Sequence, residues 1–61
     1  MCEFKVYLGE EEVMEDVVYA EERGGSVVLR SVLGEERVVS DCRIVQVDVR
    51  SEVLRLARPR A

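Results

Sequence analysis

The sequence contains no histidine, the side chain that proteins use most often as a general base and as a metal ligand. It also has no glycine-rich phosphate loop, no nucleophile elbow and no CxxC pair, so the enzyme classes that such motifs identify have no counterpart in this chain. We therefore predict a binding module and not an enzyme.

Long apolar runs are also missing. The longest uninterrupted apolar stretch, Val17 to Ala20, is far shorter than the ~20 residues of a membrane-spanning helix. The N-terminal half carries repeated glutamates and no apolar core of a signal peptide. We therefore expect a reduced, cytoplasmic protein without a membrane partner, in which Cys2 and Cys42 are free thiols.

The chain has 61 residues, which is enough for one domain only. So short a chain buries only roughly 60% of the surface that its unfolded form exposes, and this thin core makes a homodimer the default expectation. We predict a single domain over residues 1–57. Residues 58–61 are predicted to form a loose C-terminal tail, since Pro59 stops strand pairing.

The net charge of −4 conceals an uneven distribution. Residues 1–36 hold ten acidic and three basic side chains, which gives −7, whereas residues 37–61 hold three acidic side chains and six arginines, which gives +3. The overall acidity argues against nonspecific binding of nucleic acid, which depends on neutralising phosphates. The basic half leaves a local contact with RNA open.

Valine supplies much of the apolar content, and β-branched side chains favour strands. From Cys2 to Leu8 apolar and polar side chains alternate with a period of two, and Gly24–Gly25 suits a tight hairpin turn. A helix over residues 13–22 is the main competitor, because glutamate is a good helix former. We predict an all-β fold, a small SH3-like or Sm-like barrel or a bent antiparallel sheet, with five to six short strands at residues 2–8, 13–22, 26–33, 37–39, 43–49 and 53–57.

Cys2 is the most informative residue for function. If Met1 is removed, the α-amine and the thiol of Cys2 close a five-membered chelate ring on a metal ion, and two chains at a dimer axis offer two nitrogens and two sulfurs. This donor set suits square-planar Ni(II) or Cu(II). If Met1 is retained, its amine and the deprotonated Cys2 amide join the thiolate. The structural alternative is that Cys2 packs on the inner face of its strand beside Phe4, since free cysteine is often buried.

Cys42 and the acidic turn have mainly structural interpretations. Cys42 begins a strand next to Ile44 and is predicted to be a core residue. The acidic run 10–12, with Glu15 and Asp16, offers oxygen ligands to a hard cation, but it lacks the calcium-loop spacing and is predicted to be solvated.

Scattered arginines provide the alternative function, a small RNA-binding module in which Tyr7 or Tyr19 stacks on bases. Their structural interpretation is that they solubilise the sheet or pair with the acidic half of another copy. A purely structural interaction domain within a larger complex is the third hypothesis. The arginines concerned are Arg50, Arg55, Arg58 and Arg60.

The opening Met1-Cys2-Glu3, followed by Val6-Tyr7-Leu8, resembles the start of the CooT family, small nickel-binding accessory proteins associated with maturation of carbon monoxide dehydrogenase. The opening is the specific part of the likeness, which extends over nearly the whole chain. Relatives are also labelled predicted RNA-binding proteins. The other segments that resemble the family are Met14 to Val17, Gly34, Arg43 to Asp48 and Val53 to Leu56.

The resemblance implies a homodimeric small β fold that shares one Ni(II) between its subunits, with Cys2 as the metal-binding cysteine. Met1 contributes a nitrogen only if it is retained, and Cu(II) or Zn(II) would also bind in vitro. The implied function is a nickel metallochaperone or buffer whose partner is a nickel enzyme such as carbon monoxide dehydrogenase. Phe4 is bulkier than the family pattern, Cys42 is not part of it, and the tail 58–61 is additional.

Overall fold

The computed structural model describes residues 3–59, and every helix or strand in this range is a β-strand. The prediction of an all-β fold with five to six short strands is confirmed, and residues 13–22 lie in a strand instead of the competing helix. No helix that is long and apolar enough to cross a membrane occurs in this part of the chain. The strands are β1 Phe4–Leu8, β2 Glu11–Arg23, β3 Ser26–Ser31, β4 Glu36–Ser40, β5 Arg43–Asp48 and β6 Val53–Ala57.

The strands form one sheet in the order β4-β3-β2-β1-β6-β5. Four of the pairings are antiparallel, while β1 and β6 run parallel. Of the two predicted shapes the bent sheet is therefore the observed one, but it is mixed, because β6 returns beside β1 on the side that β2 leaves free. Between residues 3 and 59 the sheet does not close into a barrel, and β4 and β5 are its edges.

β2 is bent in its middle. Its first half pairs with β1 and its second half with β3, and the register shifts on both sides of Val17. Asp16 has a φ of 58°, in the left-handed region. Such β-bulges insert an extra residue, bend the strand and increase its twist. The bent β2 thus lets one half of the sheet curl towards the other.

Two hydrogen bonds donated by backbone N–H groups join the halves of the curled sheet. The N–H of Cys42 donates to the carbonyl of Gly25 at 2.9 Å, and the N–H of Ile44 donates to Oε1 of Glu22 at 2.9 Å. Both bonds join the start of β5 to the β2–β3 hairpin, although these strands are far apart in the sheet order. The inner faces of the two halves therefore meet around one core.

The core follows from the alternation of apolar and polar side chains. Phe4, Val6 and Leu8 lie on the same face of β1, with Val6 fully buried, as the period of two predicts. Cys2, the first residue of the predicted strand, lies outside the described residues. The buried apolar side chains are Val6, Val17, Val27, Leu29, Cys42, Leu54 and Leu56.

Two strands end earlier than predicted. β3 stops at Ser31, so that Val32 and Leu33 belong to the following turn, and β5 stops at Asp48. In both cases a side chain replaces strand pairing as the hydrogen-bond partner of the backbone. The Ser31 hydroxyl and the Asp48 carboxylate accept N–H groups of residues two to four positions later in the chain. The prediction of a loose tail at 58–61 is not tested, and its last two residues lie outside the described range.

Candidate functional site

An apolar groove of about 240 Å³ opens where the second half of β2 faces β5. It lies on the inner face of the curled sheet and opens to solvent between the two strands. Its lining is almost entirely apolar, so water in the groove gains few hydrogen bonds. The residues that line it are Phe4, Val17, Val18, Tyr19, Ala20, Ile44, Val47 and Leu54.

Strand register explains why these side chains converge. Ala20 pairs with the core residue Leu29, and Val47 pairs with Leu54, so Ala20 and Val47 share the face of the core although solvent reaches both. Ala20 is small, and its short side chain leaves the space that the groove occupies. Val47 remains 57% exposed beside it. The groove is thus an extension of the core that residues 3–59 leave open to solvent.

Bulges enlarge the apolar surface around the groove. Val18 and Val45 lie at register shifts in β2 and β5, and each is 46% exposed. Within residues 3–59 β5 has β6 as its one strand neighbour, so its other side is a sheet edge, where the Ile44 N–H donates to the Glu22 side chain. Natural edges are usually protected by charge or by a covering element, and an apolar edge next to an apolar groove marks an interaction surface.

The groove begins beside the start of the described chain. Phe4, the first residue of β1, lines it, and Cys2 precedes Phe4 by two residues in the sequence. The two predicted metal ligands, Cys2 and Met1, lie outside the described residues. Their roles therefore stay predictions.

Cys42 is a core residue, as predicted. It is only 2% exposed, and its thiol donates a hydrogen bond to the carbonyl of Val39 at 3.3 Å. Burial raises the pKa of the Cys42 thiol, although the positive charge of Arg58 acts in the opposite direction. A thiol that resists ionisation is a poor metal ligand, because metals bind the thiolate.

The acidic side chains proposed as oxygen ligands lie at Glu10, in the turn before β2, and in the first half of β2. Residues 10–12, Glu15 and Asp16 are all exposed, in agreement with the solvated interpretation. Within residues 3–59 no three His, Cys, Asp or Glu side chains come together as a metal site.

Two of the arginines proposed for RNA binding contact other groups of the chain. Arg55 lies over the ring of Tyr7, with 5.3 Å between the guanidinium carbon and the ring centroid. Arg58 donates to the carbonyls of Ser40 and Asp41. Arg50 is exposed in the turn before β6, and Arg60 lies outside the described residues.

Tyr19, the second predicted stacking face, is also occupied. Arg30 lies 4.6 Å from its ring centroid, and its hydroxyl donates to Oε1 of Glu21 at 2.8 Å. This hydrogen bond, together with that from Arg23, lowers the pKa of the Glu21 carboxyl. Arg30 itself pairs with Glu36 at 3.1 Å. The charged side chains around Tyr19 therefore pair with one another.

The groove was not foreseen from the sequence. Phe4 was singled out only as a bulky neighbour of Cys2, and Ala20 and Val47 look like ordinary strand residues. Ala20 is the one signal that was available, since a small side chain in a valine-rich strand leaves a gap on the inner face. The β5 side chains on the other side of that gap are brought there by the curl of the sheet. The alternation of apolar and polar residues does not predict this curl.

The described residues thus form a small all-β domain with an apolar groove beside its first strand. The chain belongs to the CooT family, described as CO dehydrogenase accessory protein CooT, whose profile matches residues 1–56. An accessory role fits the prediction that the chain is not an enzyme. A search of curated proteins finds no match.

Proposed function

We propose that this protein is a nickel-binding accessory protein that holds Ni(II) through Cys2 at a homodimer interface. As a metallochaperone or nickel buffer it supplies the ion to CO dehydrogenase, the enzyme that the family description names. The observation that carries the proposal is the uncovered apolar groove beside the first strand, since Phe4 in its lining is two residues from Cys2.

Covalent geometry ties the proposed ligand to the groove. Two residues of chain span at most ~7 Å, so the backbone of Cys2 is tethered close to that of Phe4. A two-fold axis that packs one groove against its copy repeats this arrangement on the partner chain. The two N-termini are then close enough to share one ion.

The groove has the properties of a dimer interface. It is apolar at its centre, Val18 and Val47 extend it, and the free edge of β5 can pair with a second copy. A domain with so few buried side chains also gains core from such packing, as obligate dimers do.

The donor chemistry favours a planar site. Each chain offers the Cys2 thiolate and a nitrogen, which is the α-amine of Cys2 after removal of Met1 or the Met1 amine and Cys2 amide when Met1 is kept. Two chains provide two nitrogens and two sulfurs, a set suited to square-planar Ni(II) and also to Cu(II). The second thiol, Cys42, does not compete, because it is buried and its pKa is raised by burial.

A spectroscopic titration tests the proposal. Ni(II) is added to the reduced, tag-free protein with its native N-terminus, and the thiolate-to-nickel charge-transfer band is followed. We expect an endpoint at one Ni(II) per two chains, loss of the band in Cys2→Ser and its retention in the matched control Cys42→Ala. Equal binding by Cys2→Ser and wild type would refute the assignment.

The RNA-binding alternative predicts a different result. Affinity for single-stranded RNA would fall steeply with salt and with removal of Arg50 and Arg55, while Cys2→Ser would have no effect. The ring contacts of Arg30 and Arg55 give this alternative no support, because they cover the tyrosine faces that would stack on bases.

A further inference from the structure

The turn between β3 and β4 presents an apolar tip. Leu33 is 85% exposed, the largest value among the exposed large apolar side chains of residues 3–59, and its neighbour Val32 is 42% exposed. A single exposed leucine on a flexible loop needs no explanation. This turn, however, is extensively hydrogen-bonded.

Every backbone N–H from residue 31 to residue 35 has a protein acceptor. The Ser31 hydroxyl oxygen accepts the N–H groups of Leu33 and Glu35, both at 3.2 Å. The carbonyls of Ser31 and Glu35 accept from Gly34 and Ser31 at 2.9 and 2.8 Å. Ser31 itself is 6% exposed and thus part of the core. The buried Ser31 therefore anchors the turn to the core.

The bulge in β2 contributes to the same anchor. The N–H of Val32 donates to the carbonyl of Asp16 at 2.8 Å, and Asp16 is the residue with φ of 58°. Gly34, with φ of 91°, permits the reversal that a side chain would strain. Two residues in left-handed conformations thus help to fix the backbone path at Leu33, and a backbone that is ordered before binding loses little entropy when it docks.

Two exposed acidic residues belong to the turn or adjoin it. Glu35 lies within the turn, and Asp16 lies against it through the bond to Val32. Neither forms an ion pair with another described residue. Nearby basic side chains are already engaged: Arg30 pairs with Glu36, and Arg37 donates to the carbonyl of Val13. The tip is an apolar anchor with a negative rim.

We infer that the 31–35 turn docks this protein onto its client enzyme, with Leu33 inserted into an apolar pocket whose rim is basic. The inference rests on the proposed function, because it takes CO dehydrogenase as the client. It assigns the two apolar surfaces of the molecule to different partners: the groove to a second copy and the turn to the enzyme. Charge complementarity at the rim accelerates association at low salt.

The test uses CO dehydrogenase from the same organism, immobilised and titrated with the full chain. Leu33→Asp is expected to weaken binding by about tenfold or more, and Leu33→Met is expected to bind like wild type. Val38→Thr, in which an exposed valine of the adjacent strand is replaced, is the matched control and should have no effect. Raising the salt concentration should slow association of the wild type.

Equal affinities of wild type and Leu33→Asp would overturn the inference, as would absence of any binding by the wild type. A monomeric Leu33→Asp variant beside a dimeric wild type would also overturn it, since Leu33 would then contact the second copy. The nickel titration of Leu33→Asp separates the two proposals. If Leu33→Asp binds nickel with unchanged stoichiometry but no longer docks, both the nickel site and the docking surface are supported. If the wild type docks without ever binding nickel and Leu33→Asp does not dock, only the metal assignment is refuted.

Discussion

Two apolar features on the surface of residues 3–59, the groove and the 31–35 turn, are built in opposite ways. The groove is a concavity lined by ordinary side chains of four strands, such as Ala20 and Val47, and it is open to solvent among residues 3–59. The 31–35 turn is a convex tip where one leucine projects from a fully hydrogen-bonded backbone. A broad concave surface suits a large symmetric contact, whereas a rigid point suits insertion into a pocket. Mutations on the two features should therefore affect different measurements.

The largest expected effect is on dimerisation and comes from the groove. Val47→Arg places a charge in the apolar contact and should weaken dimerisation by about a hundredfold, measured by analytical ultracentrifugation. Val38→Arg is the matched control, because Val38 and Val47 are 59% and 57% exposed but only Val47 lines the groove. Equal effects of the two variants would show that the groove is not the interface.

The second effect concerns the rigidity of the turn. Ser31→Ala removes the acceptor of the Leu33 and Glu35 N–H groups and should lower the free energy of unfolding by about 1–3 kcal/mol. Urea denaturation measures the loss, and faster amide exchange at 33 and 35 localises it. The control Ser51→Ala removes an exposed hydroxyl that bonds only the Asp48 side chain, and its effect should stay within about 0.5 kcal/mol. Unchanged exchange in Ser31→Ala would mean that the turn is not held by this hydroxyl.

A smaller effect concerns Cys42 in the core, and it depends on pH. Burial raises the pKa of the Cys42 thiol, so as pH rises the unfolded chain loses this proton before the folded chain does. The stabilisation is fully present below the ordinary thiol pKa and is lost as pH rises from there towards the raised folded value. Urea midpoints between about pH 7 and pH 10 should fall in Cys2→Ser and fall less when Cys42→Ala is added.

A pH dependence that is the same with and without Cys42 would contradict this account of the thiol. The comparison is made in the Cys2→Ser background so that the second thiol does not titrate in the same range.

The smallest effect is expected from the tip itself. Leu33 is 85% exposed, so Leu33→Ala should change the free energy of unfolding by no more than about 0.5 kcal/mol and should leave the dimer intact. Thermal unfolding and ultracentrifugation check both statements. A loss larger than about 1 kcal/mol would show that Leu33 packs within the protein and would remove the distinction between tip and groove.

Local patterns predicted the strands well. The period of two placed Phe4, Val6 and Leu8 on one face, and Gly24–Gly25 fixed the hairpin, because both signals depend only on neighbouring residues. The same alternation placed Cys42 in the core. The exceptions were the ends of β3 and β5, where the apolar pattern continued but the Ser31 hydroxyl and the Asp48 carboxylate accept backbone N–H groups of the following turns.

Long-range features were not predictable in the same way. The parallel pairing of β1 with β6 depends on the path of the whole chain, and the bulges at Val18 and Val45 appear only when each strand is matched with its partner. The groove is a product of these features, so its residues had no common signal in the sequence. Cys2 was identified by its chemistry and by the family resemblance, independently of the fold.

The most direct test of the central claim is native mass spectrometry of the nickel-loaded protein with its authentic N-terminus. The account predicts a complex of two chains with one Ni(II), which is absent from Cys2→Ser and present in Cys42→Ala. A monomer that carries its own Ni(II), or a Cys2→Ser dimer that retains the ion, would contradict it.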